Sequence, residues 1–255
     1  MNKKFTVYLF LFTIAWMHAS HPARVQVIHL ATIEEFRPFI WQENNAATGI
    51  DADIIHEMAR RAGVSIKITY APWNRVMAMT KTGKVHGAFS AFKTKERESF
   101  ALFLDYPLHL STYSLFIRSG DNFIFHSIKD LYGQSIGINS GFSLGEEFDR
   151  AKKENRILVQ ETETIEQNLE KLIRGRFRAY IGNFHATYYL MKTTGWQNNI
   201  SYLERPVRNP TPAYLIFSKA AEMTNKQEVI RRCNDALKAM QADGTAIRIH
   251  SNYIN

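Results

Sequence analysis

Several features that would define a function are scarce in this sequence. Its 255 residues include one cysteine, Cys233, so no internal disulfide can form. The nine histidines are scattered, and we predict neither a metal site nor a cofactor. The 32 lysines and arginines are interspersed with 24 aspartates and glutamates and form no long basic tract. Despite the formal net charge of +8, this argues against a nucleic-acid partner.

Only one long apolar run is present, and it lies at the N-terminus. Lys3 and Lys4 precede a mainly apolar run from Phe5 to Trp16, and small residues follow. This order is typical of a secretory signal peptide, and the run is shorter than the ~20 apolar residues that cross a bilayer. We predict a cleavable signal peptide at residues 1–22, cut between residues 19 and 23, without a cysteine to carry a lipid. The mature protein is therefore expected to be soluble and exported.

The remainder of the chain alternates between strand-like and helix-like segments. "VSIKITY" (Val64–Tyr70) alternates apolar and polar residues, as a half-buried strand does. Ile54 and Met58 belong to the apolar stripe of a helix that we expect to begin near Asp51 or Asp53, both suitable N-caps. Strands and helices in alternation predict a mostly parallel sheet with helices on its faces.

A second series of such segments begins after Pro107 and ends in a long helix. Cys233 lies on the apolar face of that helix and is expected in the core. The series is predicted as strands at 111–118, 135–139 and 212–219, and as helices at 143–154, from 183 and from 226. Because no flexible linker separates the two series, we expect two α/β lobes joined by strands.

Four short motifs occur in order along the chain. They are "FRPF" (Phe36–Phe39), "GIDADIIHEMARRAGV" (Gly49–Val64), "KTKERESFALFLDYPLH" (Lys93–His109) and "ALKAMQADGTAIRI" (Ala236–Ile249). Each motif is weak alone, but the ordered set covers nearly all of the mature chain. As a set, the motifs resemble the periplasmic solute-binding proteins of the amino-acid type, the ABC-importer receptors called bacterial extracellular solute-binding family 3.

The resemblance implies an α/β fold of the periplasmic-binding-protein type II. Two lobes, each a mostly parallel sheet flanked by helices, would be joined by two strand hinges and close over a small ligand. The first lobe would hold residues 23–111 and 211–255, and the second residues 112–210. The implied protein is a monomer without catalytic activity. Its implied partners are a small molecule with a carboxylate and the membrane permease of an ABC importer.

Arg97 receives the clearest role from the resemblance. The family places an arginine at this point in the cleft, where it binds the ligand's α-carboxylate. A guanidinium stays charged and offers a planar fork that matches two carboxylate oxygens. The alternative is a surface ion pair of Arg97 with Glu96 or Glu98, as in an ordinary charged turn after a strand.

The same resemblance assigns further residues to the ligand. Ser90, at the end of its strand, is expected to bind the carboxylate, although a serine that shapes a turn fits equally well. Phe36 and Trp73 are expected to pack on the ligand's side chain, and the alternative for both is a place in the core. Phe92 stands where the family often has a second hydroxyl residue, which removes one polar contact.

Ser143 lies in "GFSLG" (Gly141–Gly145), and three interpretations are open. The pattern matches the G-x-S-x-G turn that presents the nucleophile of serine hydrolases, with His185 or His250 as the base. The resemblance instead implies that Ser143 and backbone N–H groups at a helix N-terminus bind the carboxylate from the second lobe. The third interpretation is a plain N-cap without a ligand.

Asn183 departs from the family pattern. The amino-acid receptors usually have an aspartate at this position, which pairs with the ligand's ammonium group. An asparagine brings no charge, and a buried ammonium without a counter-charge is costly. The ligand therefore either lacks a free amine or meets another acid, for which Glu34 and Glu35 are candidates.

Taken together, the sequence predicts a periplasmic binding receptor for a small carboxylate-bearing solute, an amino acid or a related compound. Hinge closure would deliver the solute to an ABC importer. Two alternatives are open. One is an enzyme on the same fold, either dehydratase-like or a serine hydrolase that uses Ser143, and the other is a sensor input protein that reports the closed state to a signalling partner.

Overall fold

The structure is a computed structural model that describes residues 26–253. The signal peptide predicted at residues 1–22 lies outside this range. No helix in the described range has the length and apolar character that crossing a membrane requires.

Strands and helices alternate in the described chain, as the sequence predicts. The strands are β1 (Val27–Thr32), β2 (Trp41–Glu43), β3 (Ala46–Thr48), β4 (Ser65–Tyr70), β5 (Gly87–Phe92), β6 (Ala101–Phe103), β7 (His109–Ser111), β8 (Tyr113–Arg118), β9 (Ser135–Asn139), β10 (Leu158–Thr162), β11 (Ala179–Asn183), β12 (Ile200–Tyr202) and β13 (Thr211–Ser218). The helices are α1 (Ile50–Ala62), α2 (Trp73–Lys81), α3 (Lys95–Phe100), α4 (Glu146–Lys153), α5 (Ile165–Ile173), α6 (Phe184–Thr194), α7 (Lys226–Ala242) and α8 (Thr245–Ser251), with short 3-10 turns at Ile128–Leu131 and Trp196–Asn198.

The first lobe is built on a sheet with the strand order β4-β1-β5-β13-β6, and β7 also pairs with β13. β1 runs parallel to β4 and β5, since α1 and α2 provide the long crossovers that parallel strands need. β13 enters this sheet from the other half of the chain. It is antiparallel to β5, β6 and β7.

The second lobe repeats this plan on a sheet with the order β10-β9-β11-β8-β12. β9 is parallel to β10 and β11, which follow it through α4 and α5. β8, which enters from the first lobe, is antiparallel to β11 and β12. The predicted two-lobed α/β fold is confirmed.

Two neighbouring segments connect the lobes. The chain leaves the first lobe between β7 and β8 and returns between Val207 and β13. The Leu108 N–H donates to the Ala213 carbonyl at 2.7 Å, and the Val207 N–H donates to the Tyr113 carbonyl at 2.8 Å. These bonds tie the outgoing and returning segments together. The lobe boundaries at 111/112 and 210/211 stay a prediction.

The start of α1 differs from the expectation that Asp51 or Asp53 caps it. The helix begins at Ile50, and Gly49 occupies the N-cap with a φ of 116° and no side-chain cap bond. A Cβ at Gly49 would lie 2.6 Å from the Phe39 carbonyl oxygen, so the close approach of the two backbones requires glycine. Asp51 is instead fully buried, and its carboxylate belongs to the interior.

Cys233 lies in the core of the first lobe, as predicted. It is on the face of α7 that packs against α1, and none of its surface is exposed. Burial raises the pKa of the thiol to about 12, because the thiolate is poorly solvated there. Cys233 is therefore a packing residue.

Candidate ligand-binding site

Two cavities lie between the lobes and share a wall formed by Ile33, Phe36 and Phe142. The larger has a volume of about 280 Å³. The smaller has about 20 Å³, which is room for about one water molecule. The smaller cavity is lined by Ile33, Phe36, Trp73, Ser90, Phe92, Arg97, Ser111, Tyr113, Phe142 and Ser143. Of the six predicted site residues, all but Asn183 are thus brought together around it.

Arg97 lies in α3 and is buried, with 6% of its surface exposed. Thr94 caps this short helix, since its hydroxyl accepts a hydrogen bond from the Arg97 N–H at 3.2 Å. The guanidinium donates to the Phe92 carbonyl at 3.0 Å and to the Gly141 carbonyl at 3.3 Å. Because Gly141 belongs to the second lobe, Arg97 bridges the two lobes.

The positive charge of Arg97 has no carboxylate partner among residues 26–253. Glu98, one of the two acids that a surface ion pair would use, pairs with Lys93 at 3.1 Å instead. Burial lowers the pKa of the Arg97 guanidinium, because desolvation disfavours its charged form. A guanidinium remains protonated even so. Glu96 and Asp149 act on this charge only from beyond ion-pair distance. The small cavity therefore borders a buried cation without a directly paired carboxylate in residues 26–253.

Three of the aromatic residues that line the small cavity pack with one another, and one of them contacts this cation. Trp73 is the first residue of α2, and its ring centroid lies 5.4 Å from the Arg97 guanidinium carbon, within the ~6 Å range of cation–π contacts. Phe142, from the loop after β9, packs edge-on against the two predicted aromatic contacts. Its ring centroid is 6.1 Å from that of Phe36 and 6.2 Å from that of Trp73. The aromatic pair expected to hold a ligand side chain thus holds a phenylalanine of the second lobe.

A chain of buried hydrogen bonds connects the lobes behind this cavity. Ser90, which has a φ of 65°, donates its hydroxyl to Asp51 Oδ2. His109 bonds Asp51 Oδ1 through Nδ1 at 2.7 Å and Ser111 Oγ through Nε2 at 2.8 Å. Asn183 Nδ2 donates to Ser111 Oγ at 3.1 Å. With His109 donating from Nδ1 and accepting at Nε2, each hydrogen bond of this chain joins a donor to an acceptor. The Ser90 hydroxyl is therefore engaged by the protein.

Asn183 is the predicted site residue that lines neither cavity. It caps α6, where its Oδ1 accepts a hydrogen bond from the Ala186 N–H at 3.0 Å. Its Nδ2 donates to Ser111 Oγ, and only 1% of the residue's surface is exposed. The arrangement explains why an asparagine suits this place, since its amide supplies both the acceptor and the donor that are used. Because the amide is bonded inside the protein and borders neither cavity, it is not placed to meet a ligand ammonium.

Ser143 lacks the partner that a nucleophile needs. Its hydroxyl donates to Asp149 Oδ2 at 2.6 Å. The candidate bases lie elsewhere: His250 bonds a backbone carbonyl of the first lobe, and His185 packs on aromatic rings. The N-cap interpretation is also wrong, because α4 begins at Glu146 and Gly145 holds the cap position. The remaining interpretation, a contact to the ligand from the second lobe, agrees with the place of Ser143 at the small cavity.

The hydrogen-bond order Ser111–His109–Asp51 resembles that of a serine nucleophile with its base and acid. Ser111 is fully buried, and its oxygen already accepts the bond from Asn183. The small cavity next to it has room for about one water molecule. The hydroxyl is engaged by His109 and Asn183 within the protein, and no substrate fits beside it in this arrangement, so the three residues serve as structure.

The larger cavity has the opposite charge at its rim. Glu34, Glu163 and Glu166 line it, and within the described chain they form no ion pair. Glu35, the fourth acid of the lining, pairs with Arg37 at 2.6 Å. In residues 26–253 no group of three or more His, Cys, Asp or Glu side chains is placed to hold a metal ion. The cleft therefore runs from a buried cation to an acidic mouth.

Phe142 and the Asp51–His109 pair are the site features that the sequence did not reveal. Phe142 lies in the "GFSLG" segment, in which only Ser143 was predicted as a site residue. The one sequence feature that could have indicated Phe142 is an aromatic residue next to a glycine in a predicted cleft loop. For His109 the sequence offered no signal beyond its position at the end of the third motif.

The fold and the buried arginine at the lobe junction define a two-lobed solute receptor. The chain belongs to the bacterial extracellular solute-binding proteins, family 3, whose family model matches residues 28–255. It is 20% identical over 229 residues to the probable amino-acid-binding protein YxeM of Bacillus subtilis (strain 168), covering 90% of this chain and 84% of that protein. It is 23% identical over 229 residues to the L-cystine-binding protein TcyA of the same organism, covering 89% and 81%.

A solved structure shows the same fold. The ancestral arginine-binding protein bound to arginine superposes with a TM-score of 0.77 at 19% identity, covering 90% of this chain and 98% of that chain. The family and these relatives are binding proteins rather than enzymes. The chain is therefore a solute-binding protein.

Proposed function

We propose that this protein is a periplasmic receptor for a small carboxylate-bearing solute, an amino acid or a close relative, and that Arg97 binds the carboxylate. The observation that supports this most strongly is the buried guanidinium at the lobe junction, which bonds two backbone carbonyls and has no carboxylate within ion-pair distance in the described chain. A hydrogen bond to a charged group contributes about 1.5–3 kcal/mol. The names of the relatives, an amino-acid-binding and an L-cystine-binding protein, agree with this class of ligand.

The charges along the cleft favour one orientation and one subclass of ligand. Arg97 lies at the inner end, and Glu34, Glu163 and Glu166 line the larger cavity. A zwitterion with a further positive group would meet a complementary charge at both ends. We therefore expect basic amino acids to bind better than acidic ones. Arginine, the ligand in the solved structure of similar fold, is of this type.

The proposed role in the cell follows from export and closure. A signal peptide at residues 1–22 would bring the chain to the periplasm, where it acts as a monomer. A ligand that contacts both lobes favours the closed arrangement over the open one by its differential affinity. The membrane permease of an ABC importer would then recognise the closed receptor and accept the solute.

A thermal-shift screen of the mature chain against the L-amino acids tests this proposal. We expect arginine or another basic amino acid to raise the melting temperature more than glutamate does. Arg97→Ala should abolish this increase, and Arg97→Lys should retain part of it, because an ammonium keeps the charge but not the fork. Arg150→Ala, which removes an exposed arginine on α4, is the matched control and should behave like wild type.

Two results would contradict the proposal. An undiminished ligand-induced increase in Arg97→Ala would remove Arg97 from the binding site. A larger increase in melting temperature with glutamate than with arginine would contradict the proposal that a positive group of the ligand faces the acidic residues of the larger cavity.

A further inference from the structure

The loop after β9 enters the place that the sequence assigns to the ligand. We call residues 140–142 the 140–142 segment. Its Gly141 carbonyl accepts a hydrogen bond from Arg97 at 3.3 Å. Its Phe142 ring lies edge-on against the two aromatic rings predicted to hold a ligand side chain. The segment thus presents an oxygen to the guanidinium and an apolar group to the aromatic pair, as a carboxylate ligand would.

The segment fits closely against the first lobe. Asn74 Nδ2 donates to Ser140 Oγ at 2.8 Å. Gly141 has a φ of 73°, and a Cβ there would lie 1.9 Å from Asn74 Oδ1, so this approach favours glycine. Phe142 packs against the hydrophobic clusters of both lobes. Polar and apolar contacts of the segment therefore both join the lobes.

The volumes show what the segment does to the cleft. With the Phe142 ring in place, the cavity next to Arg97 keeps about 20 Å³, which is too small for any amino acid. The cavity on the other side of the ring has about 280 Å³. Because Phe142 is part of the wall between the two, its withdrawal would join them into one site that reaches from Arg97 to the acidic mouth.

We propose that the 140–142 segment is an internal occupant of the ligand site, which holds the lobes closed by its own contacts and must be displaced before a ligand reaches Arg97. Only molecules with the segment withdrawn then bind the ligand, so the apparent Kd is the intrinsic Kd divided by their fraction. Phe142 thereby lowers the apparent affinity for the ligand. A ligand binds only if its contacts with the site outweigh those of the segment that it displaces. The part of this inference that concerns affinity rests on the proposed role of Arg97, and the part that concerns closure does not.

The closure is tested on the ligand-free protein by double electron–electron resonance, which measures the distance between two spin labels. Spin labels at Lys84→Cys in the first lobe and Lys153→Cys in the second report the lobe separation, since both positions are exposed. The native Cys233 is buried and stays unlabelled. We expect one short distance for the labelled wild type and for Phe142→Tyr, and a shift to longer distances for Phe142→Ala.

Lys95→Ala is the matched control. It removes an exposed interlobe ion pair with Glu146, and exposed pairs contribute little, so the distance should remain short. An unchanged distance in Phe142→Ala would overturn the inference that the segment holds the lobes closed. A shift of the same size in Lys95→Ala would also overturn it, because any interlobe contact would then suffice.

The affinity is tested by calorimetric titration with L-arginine. Phe142→Ala should bind about tenfold more tightly than wild type, which corresponds to about 1.4 kcal/mol. Adding Arg97→Ala to this variant should remove the binding. Weaker binding by Phe142→Ala would show that the ring contacts the ligand rather than competing with it, which refutes the inference. If neither wild type nor Phe142→Ala binds L-arginine, the proposed basic ligand fails, and the distance measurement alone decides whether the segment closes the lobes.

Discussion

Replacing Asp51 tests the buried hydrogen-bond chain that fixes the geometry behind the site. Asp51 is fully buried, and its two oxygens are bonded to Ser90 and His109. Asp51→Ala leaves the fully buried His109 N–H and the half-buried Ser90 hydroxyl without their acceptor, and a buried unsatisfied donor costs about 1–3 kcal/mol. Because the half-buried hydroxyl contributes at the low end of this range, we expect a loss of about 2–4 kcal/mol, a large fraction of the ~5–15 kcal/mol that stabilises a typical domain. Asp51→Asn retains one acceptor oxygen and should lose about half as much.

The assay is urea unfolding followed by circular dichroism and by tryptophan fluorescence. Coincidence of the two curves checks that the lobes unfold together, which the comparison of free energies requires. Asp235→Ala is the control, because Asp235 is exposed on α7 and pairs only at the surface with Arg231, an interaction of about 0–1 kcal/mol. If Asp51→Ala is as stable as this control, the hydrogen-bond chain does not stabilise the fold. If Asp51→Asn is as unstable as Asp51→Ala, the number of unsatisfied donors does not explain the loss of unfolding free energy.

Two further predictions concern the first lobe. Cys233, buried and with its pKa raised to about 12, should not react with a thiol reagent at mildly alkaline pH until the protein is unfolded, and rapid labelling of the folded protein would contradict its place in the core. Side-chain hydrogen bonds from Arg60 and then Arg61 hold the pKa of Glu57 at about 2, below its ordinary 4.5. The stabilisation from this lowered pKa is present above pH 4.5 and is lost as the pH falls towards 2. Glu57→Gln should therefore flatten the acid side of the stability curve, and a curve parallel to that of wild type would count against the assignment.

Much of the fold follows from patterns that are local in the sequence. The alternation in Val64–Tyr70 predicts β4, and Asn183 stands correctly at the start of α6. The prediction that Asp51 or Asp53 caps α1 was wrong. Asp51 has the chemistry of an N-cap residue, which is why the sequence suggested it. What excludes it from the cap is its contact with His109, 58 residues away along the chain. Such contacts between distant residues leave no periodic signal.

For the candidate site too, local sequence patterns predicted part of the arrangement and contacts between distant residues determined the rest. The structure places Arg97 between the lobes, although an arginine among acids would ordinarily be exposed, and its contact with a ligand stays a prediction. The contact of Phe142 with Phe36 and Trp73 was not predictable, because it depends on how far one lobe closes on the other. Local sequence patterns describe each lobe, whereas this contact is a property of their relative position.

A crystal structure of the protein with the amino acid that binds best in the screen tests the central claim most directly. The account predicts that the ligand carboxylate lies within about 2.7–2.9 Å of the Arg97 guanidinium nitrogens and has replaced the Gly141 carbonyl there. A bound ligand whose carboxylate lies away from Arg97, with the Gly141 carbonyl still bonded to the guanidinium, would contradict it.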